Sequence, residues 1–266
     1  MKHPTAIIHP DAILAGDVAV GPFAVIEGAA RIGAGCVIQA HAIIGTHVVM
    51  GERNLIGYGA VIGADPQDFS FKATVASEVR IGSDNRIREY ATIHRGTEEG
   101  SATIVGDHCF LMAGAHLGHN ARLGDHVIIA NNALLGGHVI VGDRAFIGGG
   151  SVFHQHIRVG RLAICQGASK FSKDIPPFTM AADLNGVAGL NVTGLRRAGL
   201  DAAQRAEIKA AFALLYRSGK NVAQAIAAAR ERPWEAEGRA FWDFIATAGK
   251  RGLCDLIGAR GNSAGQ

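Results

Sequence analysis

The chain is poor in most features that would mark a specialised architecture. Aromatic residues are 6% of its 266 positions, so a core must be assembled from aliphatic and small side chains. Proline occurs 7 times and no Gly-X-Y period is present, which excludes collagen. The 4 cysteines, Cys36, Cys109, Cys165 and Cys254, are scattered without a CxxC pair, which argues against a zinc ribbon or a thioredoxin-type site. Buried, reduced thiols in a cytosolic protein are their simplest account. No run of ~20 apolar residues exists to span a membrane, and Met1-Lys2-His3-Pro4 leads into nothing like a signal peptide. Neither sign of charge dominates. The 26 basic and 23 acidic residues give +3, which excludes a strongly basic nucleic-acid binder and an acidic solvating tail. At 48% hydrophobic residues, wholesale disorder is excluded as well.

Glycine is in excess, with 36 residues, roughly twice the usual ~7%. It follows a beat. From Ile8, every sixth residue is apolar: Leu14, Val20, Ile26, Ile32, Ile38, Ile44, Met50, Ile56 and Ile62. The beat breaks near 64–78, returns at Ile81, Ile87 and Ile93, breaks again at 97–103, and then runs from Val105 to Phe171 without a miss. Of these 25 positions, 14 are followed by glycine, as at Gly33, Gly57, Gly106, Gly142 and Gly160. The residue four further on is usually small or β-branched, as at Ala24, Ala42, Ala115 and Ala133.

A period of six fits neither a helix nor a simple alternating strand. It predicts a solenoid of short strands and tight corners. The apolar residue points inward, the small residue fills the remaining space, and glycine supplies the corner's backbone angles. Three hexads close one triangular coil of 18 residues, and successive coils stack in parallel at ~4.8 Å. Handedness does not follow from the spacing.

The β-helix is predicted over residues 1–177, with external loops near 64–78 and 97–103. It ends at Asp174-Ile175-Pro176-Pro177, because consecutive prolines remove donors. Residues 178–266 read as a connecting segment and a C-terminal α-helical domain. Asp201 can cap a helix running through Leu215, with Ile208, Phe212 and Leu215 at helical spacing. Asn221 can cap a second to about Arg230, and Trp234–Ala248 reads as a third, packed through Trp234, Phe241, Trp242 and Ile245. Net charge is −2 over residues 1–195 and +5 over 196–266, so the tail favours an acidic partner.

The 18-residue period also sorts side chains into columns. His119, Gly137 and Gln155 form one, and Asn120, His138 and His156 its neighbour, with His116 and His154 close by. Five of the 12 histidines therefore converge on one strip. Three chemistries compete for it. Histidines can hold zinc, but the solenoid carbonic anhydrases of the γ type place two histidines five apart, and no pair here has that spacing. Nucleophilic catalysis lacks a candidate, because Cys109 and Ser151 occupy core-filling positions. General base catalysis needs an imidazole, an N–H for a developing oxyanion and a groove. His119, the Gly137 backbone N–H and the flanking strip could supply them.

Several stretches together resemble a known family: Pro66-Gln67-Asp68, Thr92-Ile93-His94-Arg95-Gly96-Thr97, Ala115-His116, Ala130-Asn131-Asn132-Ala133, Gly137-His138, His154-Gln155, Asp174-Ile175-Pro176-Pro177, Asn191-Val192 and Arg217-Ser218-Gly219-Lys220. They are similar to the UDP-N-acetylglucosamine O-acyltransferases, the first enzymes of lipid A biosynthesis in Gram-negative bacteria, and the likeness covers almost the whole chain. The resemblance implies a mainly β fold, a left-handed parallel β-helix of hexapeptide repeats followed by a small helical domain. It implies a cytoplasmic homotrimer that uses no cofactor or metal and moves a 3-hydroxyacyl chain from acyl carrier protein to the sugar 3-hydroxyl of a UDP-amino sugar. By motif position, His119 is the base and Gly137 the oxyanion donor. Asp68, His116, Asn120, His138, His154, Gln155, Gly167, Asn191 and Arg197 would contact substrate, and Arg217 and Lys220 the acidic carrier protein.

The chain departs from that family's pattern at Asn120, where an aspartate normally follows the histidine, and at Ser70, Thr193, Ala198, Gln166 and Lys170. An amide orients an imidazole but does not stabilise imidazolium by charge. The alternatives to the acyltransferase reading are a divergent enzyme acting on another UDP-amino sugar, a weak or silent relative that only binds carrier protein or nucleotide sugar, and a metal-dependent hydratase.

Overall fold

The computed structural model describes residues 1–258. The hexads form short parallel strands sorted into three sheets. The first sheet has nine strands, from Ile7–Ile8 to Lys170–Phe171. The second has eight, from Ile13–Leu14 to Arg158–Val159, and the third begins at Ala19–Val20. Each strand pairs with the one a full coil later: Ile7 with Val25, His116 with Leu134, Leu134 with Val152. The two breaks in the beat are insertions into this register. Val61 pairs with Thr92 across the first, and Thr92 with His116 across the second.

The inward apolar residues make one continuous core from Val20 to Phe171, threaded by the small residues Ala24, Ala42, Ala115 and Ala133. Ile8 and Leu14 are only partly buried, because no coil precedes theirs. All four cysteines are buried and unpaired.

Glycine does a different job from the one its spacing suggested. The left-handed backbone angles fall three residues after the apolar position, mostly on other residue types: His41, Asn120, His138, Arg144 and Leu162 all have φ between 55° and 62°. The glycine directly after the apolar residue is needed because adjacent coils nearly touch there. A Cβ on Gly106 would stand 2.6 Å from the Gly124 carbonyl oxygen, and one on Gly142 would stand 2.6 Å from the Arg161 nitrogen. Close approach between coils, rather than backbone freedom, fixes those glycines.

The hexad strands stop at Phe171, before the prolines, but the third sheet continues. Thr179–Ala182 pairs with Ile164–Cys165 and then turns back against Gly186–Leu190. Asp255–Leu256 closes this edge beside Gly186. Four helices lie between: α1 (Val192–Arg197), α2 (Ala202–Tyr216), α3 (Val222–Arg230) and α4 (Ala236–Ala246). Asp201 with Gln204, and Asn221 with Gln224, form capping boxes on α2 and α3. Ile208, Leu215, Phe241, Trp242 and Ile245 pack with Leu162 and Phe178 into a second core that fastens the helices to the solenoid. Phe212, read from its spacing as part of the helical packing, joins the solenoid core instead. Residues 259–266 of the 178–266 segment lie outside the described residues.

Candidate active site

One edge of the prism, between the first and second sheets, carries Gly118-His119-Asn120, Gly136-Gly137-His138 and His154-Gln155-His156 in successive coils. The His138 N–H donates to the His119 carbonyl at 2.9 Å, and the His156 N–H to the Gly137 carbonyl at 3.0 Å. A cavity of about 340 Å³ opens on this edge. His94, His116, His119, His154, Gln155 and Gln67 line it, over a floor of Gly118, Gly136 and Gly137.

His119 is held at both ends. Its Nδ1 lies 3.0 Å from Asn120 Oδ1, which also accepts from the Thr97 N–H at 3.1 Å and the Thr97 hydroxyl at 2.9 Å. An amide oxygen only accepts, so Nδ1 is the donor, and in the neutral imidazole the lone pair sits on Nε2. The other face of the ring lies over Gly137. A Cβ there would be 2.5 Å from both Cε1 and Nε2, so only glycine lets the imidazole occupy this place. The Gly137 N–H meets no acceptor among the described residues, whereas those of Gly136 and His138 donate to Phe153 and His119 carbonyls. A Cβ on Gly118 would sit 2.7 Å from that nitrogen, so the glycine at 118 leaves the N–H uncovered.

Burial favours the neutral form of three surrounding imidazoles, His94, His116 and His138. Burial, helped by the neighbouring His94, pushes His116 down to about 4. Burial likewise lowers His94, whose Nδ1 contacts the Asp65 carbonyl. The Thr92 hydroxyl lies 2.7 Å from His116 Nδ1, and the His94 and His116 rings meet edge to face at 5.1 Å. His138 is lowered by burial first, then by His156 and His119. Asp68 is held below the usual carboxylate range by hydrogen bonds from the Ser70 N–H and hydroxyl. Among the described residues, no group of three His, Cys, Asp or Glu side chains is arranged to hold a metal ion.

The structure brings His116, His119, Gly137, His154 and Gln155 to one cavity. Asn120 stands behind it, against His119. His138 is stacked between His119 and His156, at 5.1 and 4.5 Å, and does not line the cavity. Asp68 lies in the first insertion, next to the lining residue Gln67, where a protonated His119 would favour its carboxylate. The remaining positions lie elsewhere on this chain. Gly167 is on the edge between the third and first sheets, packed on Gly149. Asn191 caps α1 and donates to the Leu162 carbonyl at 2.9 Å, and Arg197 is the last residue of that helix. Arg217 lies over the Phe212 ring and lines a separate cavity with Arg205 and Lys209; Lys220 is exposed just before α3.

Gln67, His94 and Thr97 belong to the site but not to the columns read from the sequence. The 24-residue step across the second insertion hid His94 and Thr97, because counting by eighteen from His94 reaches Met112, whereas its neighbour one coil on is Gly118. Gln67 arrives on a loop fastened by buried Arg95, which bonds Asp65 and the Ala73 and Val75 carbonyls.

Comparison with known proteins gives this geometry its kin. Residues 174–254 match the family described as UDP N-acetylglucosamine O-acyltransferase, domain 2, and residues 102–137 match the bacterial transferase hexapeptide repeats. An acyl-[acyl-carrier-protein]–UDP-N-acetylglucosamine O-acyltransferase from Cupriavidus pinatubonensis is 53% identical over 94% of this chain and 98% of its own. Its counterpart from Synechocystis is 45% identical over 63% of this chain, a match that spans 61% of the relative's length. The solved structure of the Francisella novicida UDP-N-acetylglucosamine acyltransferase superposes with a TM-score of 0.93 at 34% identity, over 97% of this chain and 95% of that one. The solenoid is thus a left-handed parallel β-helix with a C-terminal helical domain. With identity of this extent along nearly the full length, and the same fold from end to end, the chain belongs to the UDP-N-acetylglucosamine O-acyltransferase family.

Proposed function

We propose that this protein transfers a 3-hydroxyacyl chain from acyl carrier protein to the 3-position of UDP-N-acetylglucosamine, the first step of lipid A biosynthesis, without a metal or cofactor. The observation that carries the mechanism is the His119 ring, anchored through Nδ1 on Asn120 and laid against Gly137. The Nε2 lone pair takes the proton of the sugar hydroxyl as its oxygen attacks the thioester carbon. The C=O π electrons move onto oxygen, and the Gly137 N–H donates to that oxyanion. Collapse expels the carrier thiolate, which takes the proton back from Nε2. Neutral His116, with His154, Gln155 and Asp68, contacts the substrates from the cavity walls, and His138 supports the His119 ring from outside.

The reading also holds the enzyme to be a cytosolic homotrimer, working where both substrates are made. Gly167, Asn191 and Arg197 lie apart from the cavity within one chain, and a neighbouring subunit would bring its own copies to that edge. Arg217 and Lys220, in the net-positive tail, would meet the acidic carrier protein. Asn120 favours one second reading, a sugar bearing a 3-amine. A neutral amine is already nucleophilic and asks less of a base whose partner is an amide rather than a carboxylate.

Incubation with acyl carrier proteins of several chain lengths and several UDP-sugars, read by mass spectrometry, tests both. The expected product is acylated UDP-N-acetylglucosamine. Product from the 3-amino sugar alone selects the second reading, and no product from any pair leaves a binding protein. His119→Ala that kept full transfer would remove His119 from the chemistry.

A further inference from the structure

The amide beside His119 can face it in two ways, and the choice decides which ring nitrogen is the base. With oxygen toward Nδ1, the imidazole must donate from Nδ1 and Nε2 is free. With the amide nitrogen toward Nδ1, the ring must accept there, its proton moves to Nε2, and no base faces the cavity. A carboxylate has no such choice, because both of its oxygens accept. The amide at position 120 therefore has a need that a carboxylate there would not have.

The second insertion meets that need. The Thr97 N–H, 3.1 Å from Asn120 Oδ1, can only donate, and the Thr97 hydroxyl reaches the same oxygen at 2.9 Å. Turning the amide over would set the Thr97 N–H against an NH2 group, whereas the hydroxyl, which donates or accepts, suits either orientation. The backbone of Asn120 is fixed as well, with φ at 60° and its N–H on the Thr103 hydroxyl at 2.8 Å. We propose that Thr97, through its backbone N–H, is a positioning residue that holds Asn120 oxygen-first and so fixes the proton of His119 on Nδ1. The inference rests on the reading of His119 as general base.

The test is Thr97→Pro, which removes the N–H, in the full-length enzyme labelled with 15N-histidine. One lost hydrogen bond shifts the balance of the two amide orientations about fivefold. The His119 nitrogen signals, assigned by their absence in His119→Ala, should shift toward the Nε2–H form, and kcat should fall by up to about the same factor. Thr97→Val, which keeps the N–H and removes only the hydroxyl, should leave the tautomer at Nδ1–H. On the Asn120→Asp background, Thr97→Pro should leave the tautomer at Nδ1–H, since a carboxylate needs no orienting. That background separates orientation from general damage to the fold, which would follow the proline into both. An unchanged tautomer in Thr97→Pro, or a change that persists beside Asp at 120, overturns the proposal. If His119→Ala retains full transfer, the base assignment itself fails, and that result is read independently of the tautomer.

Discussion

Gly137→Ala should separate catalysis from stability. A Cβ at 137 would lie 2.5 Å from His119 Cε1 and Nε2, about 1 Å inside ordinary contact. What it meets is the free end of a side chain, not backbone, so the fold can yield by moving the ring. Gly137 also has an ordinary φ, since it is absent from the left-handed positions. Alanine at such a site restricts the unfolded chain and is worth about 0.4–1 kcal/mol in favour of folding, which offsets the local crowding. Stability should therefore stay within about 1 kcal/mol of the parent. The base does not escape so lightly, because a displacement of about 1 Å at a reacting group costs on the order of 100-fold in rate. Urea unfolding and steady-state acyl transfer on the same preparation give both quantities. The contrast is Gly142→Ala, where the new Cβ would meet the Arg161 backbone nitrogen at 2.6 Å on an edge away from the site. That variant should lose about 1–3 kcal/mol of stability by overpacking while keeping its turnover per folded molecule. Gly137→Ala with full activity, or with a stability loss as large as that of Gly142→Ala, would refute the placement of His119 over Gly137.

Asn120→Asp should raise kcat. A charge-assisted hydrogen bond to the imidazolium exceeds a neutral one by about 1–2 kcal/mol, or roughly 5- to 30-fold, and Thr97 already supplies donors for the new carboxylate; an unchanged or lower kcat measured at saturating substrate rejects this. Stability should fall as the medium is acidified. His116 is depressed to about 4 from 6.5, so its neutral form is favoured by the folded state; its contribution is complete above pH 6.5 and is lost as pH falls from 6.5 toward 4. After allowance for partial exposure this is about 2–3 kcal/mol, with His94 acting in the same direction. Urea titrations between pH 4 and 7 should show a shallower slope in His116→Gln, and parallel curves would count against the burial argument. Arg95→Met should free the 64–78 loop, since the guanidinium holds Asp65, Ala73, Val75 and Ser77 together. Limited proteolysis should then cut within the loop and KM should rise several-fold, by about 1–2 kcal/mol of lost positioning; an intact loop and an unchanged KM would mean the clamp is dispensable.

The sequence alone determined the solenoid, because its core is one-dimensional. Each apolar hexad residue packs only against residues one coil away, so Ile26, Leu117 and Val141 declare their burial by spacing, and the 18-residue closure puts His119, Gly137 and Gln155 in one column. It also marked the helix starts at Asp201 and Asn221, where capping is a local interaction. The tertiary structure decided whatever depends on distance rather than period. It showed that the glycines after the apolar residues answer to the backbone of the next coil, and that the third sheet survives the prolines by pairing Thr179–Ala182 with Ile164–Cys165. It carried Gln67 in on a loop clamped by Arg95. It placed His94 and Thr97 beside the histidine strip, although the insertions shift their count. A period reports only contacts that recur at a fixed separation; an insertion resets that separation, and the contacts it creates are fixed by where the chain returns in space.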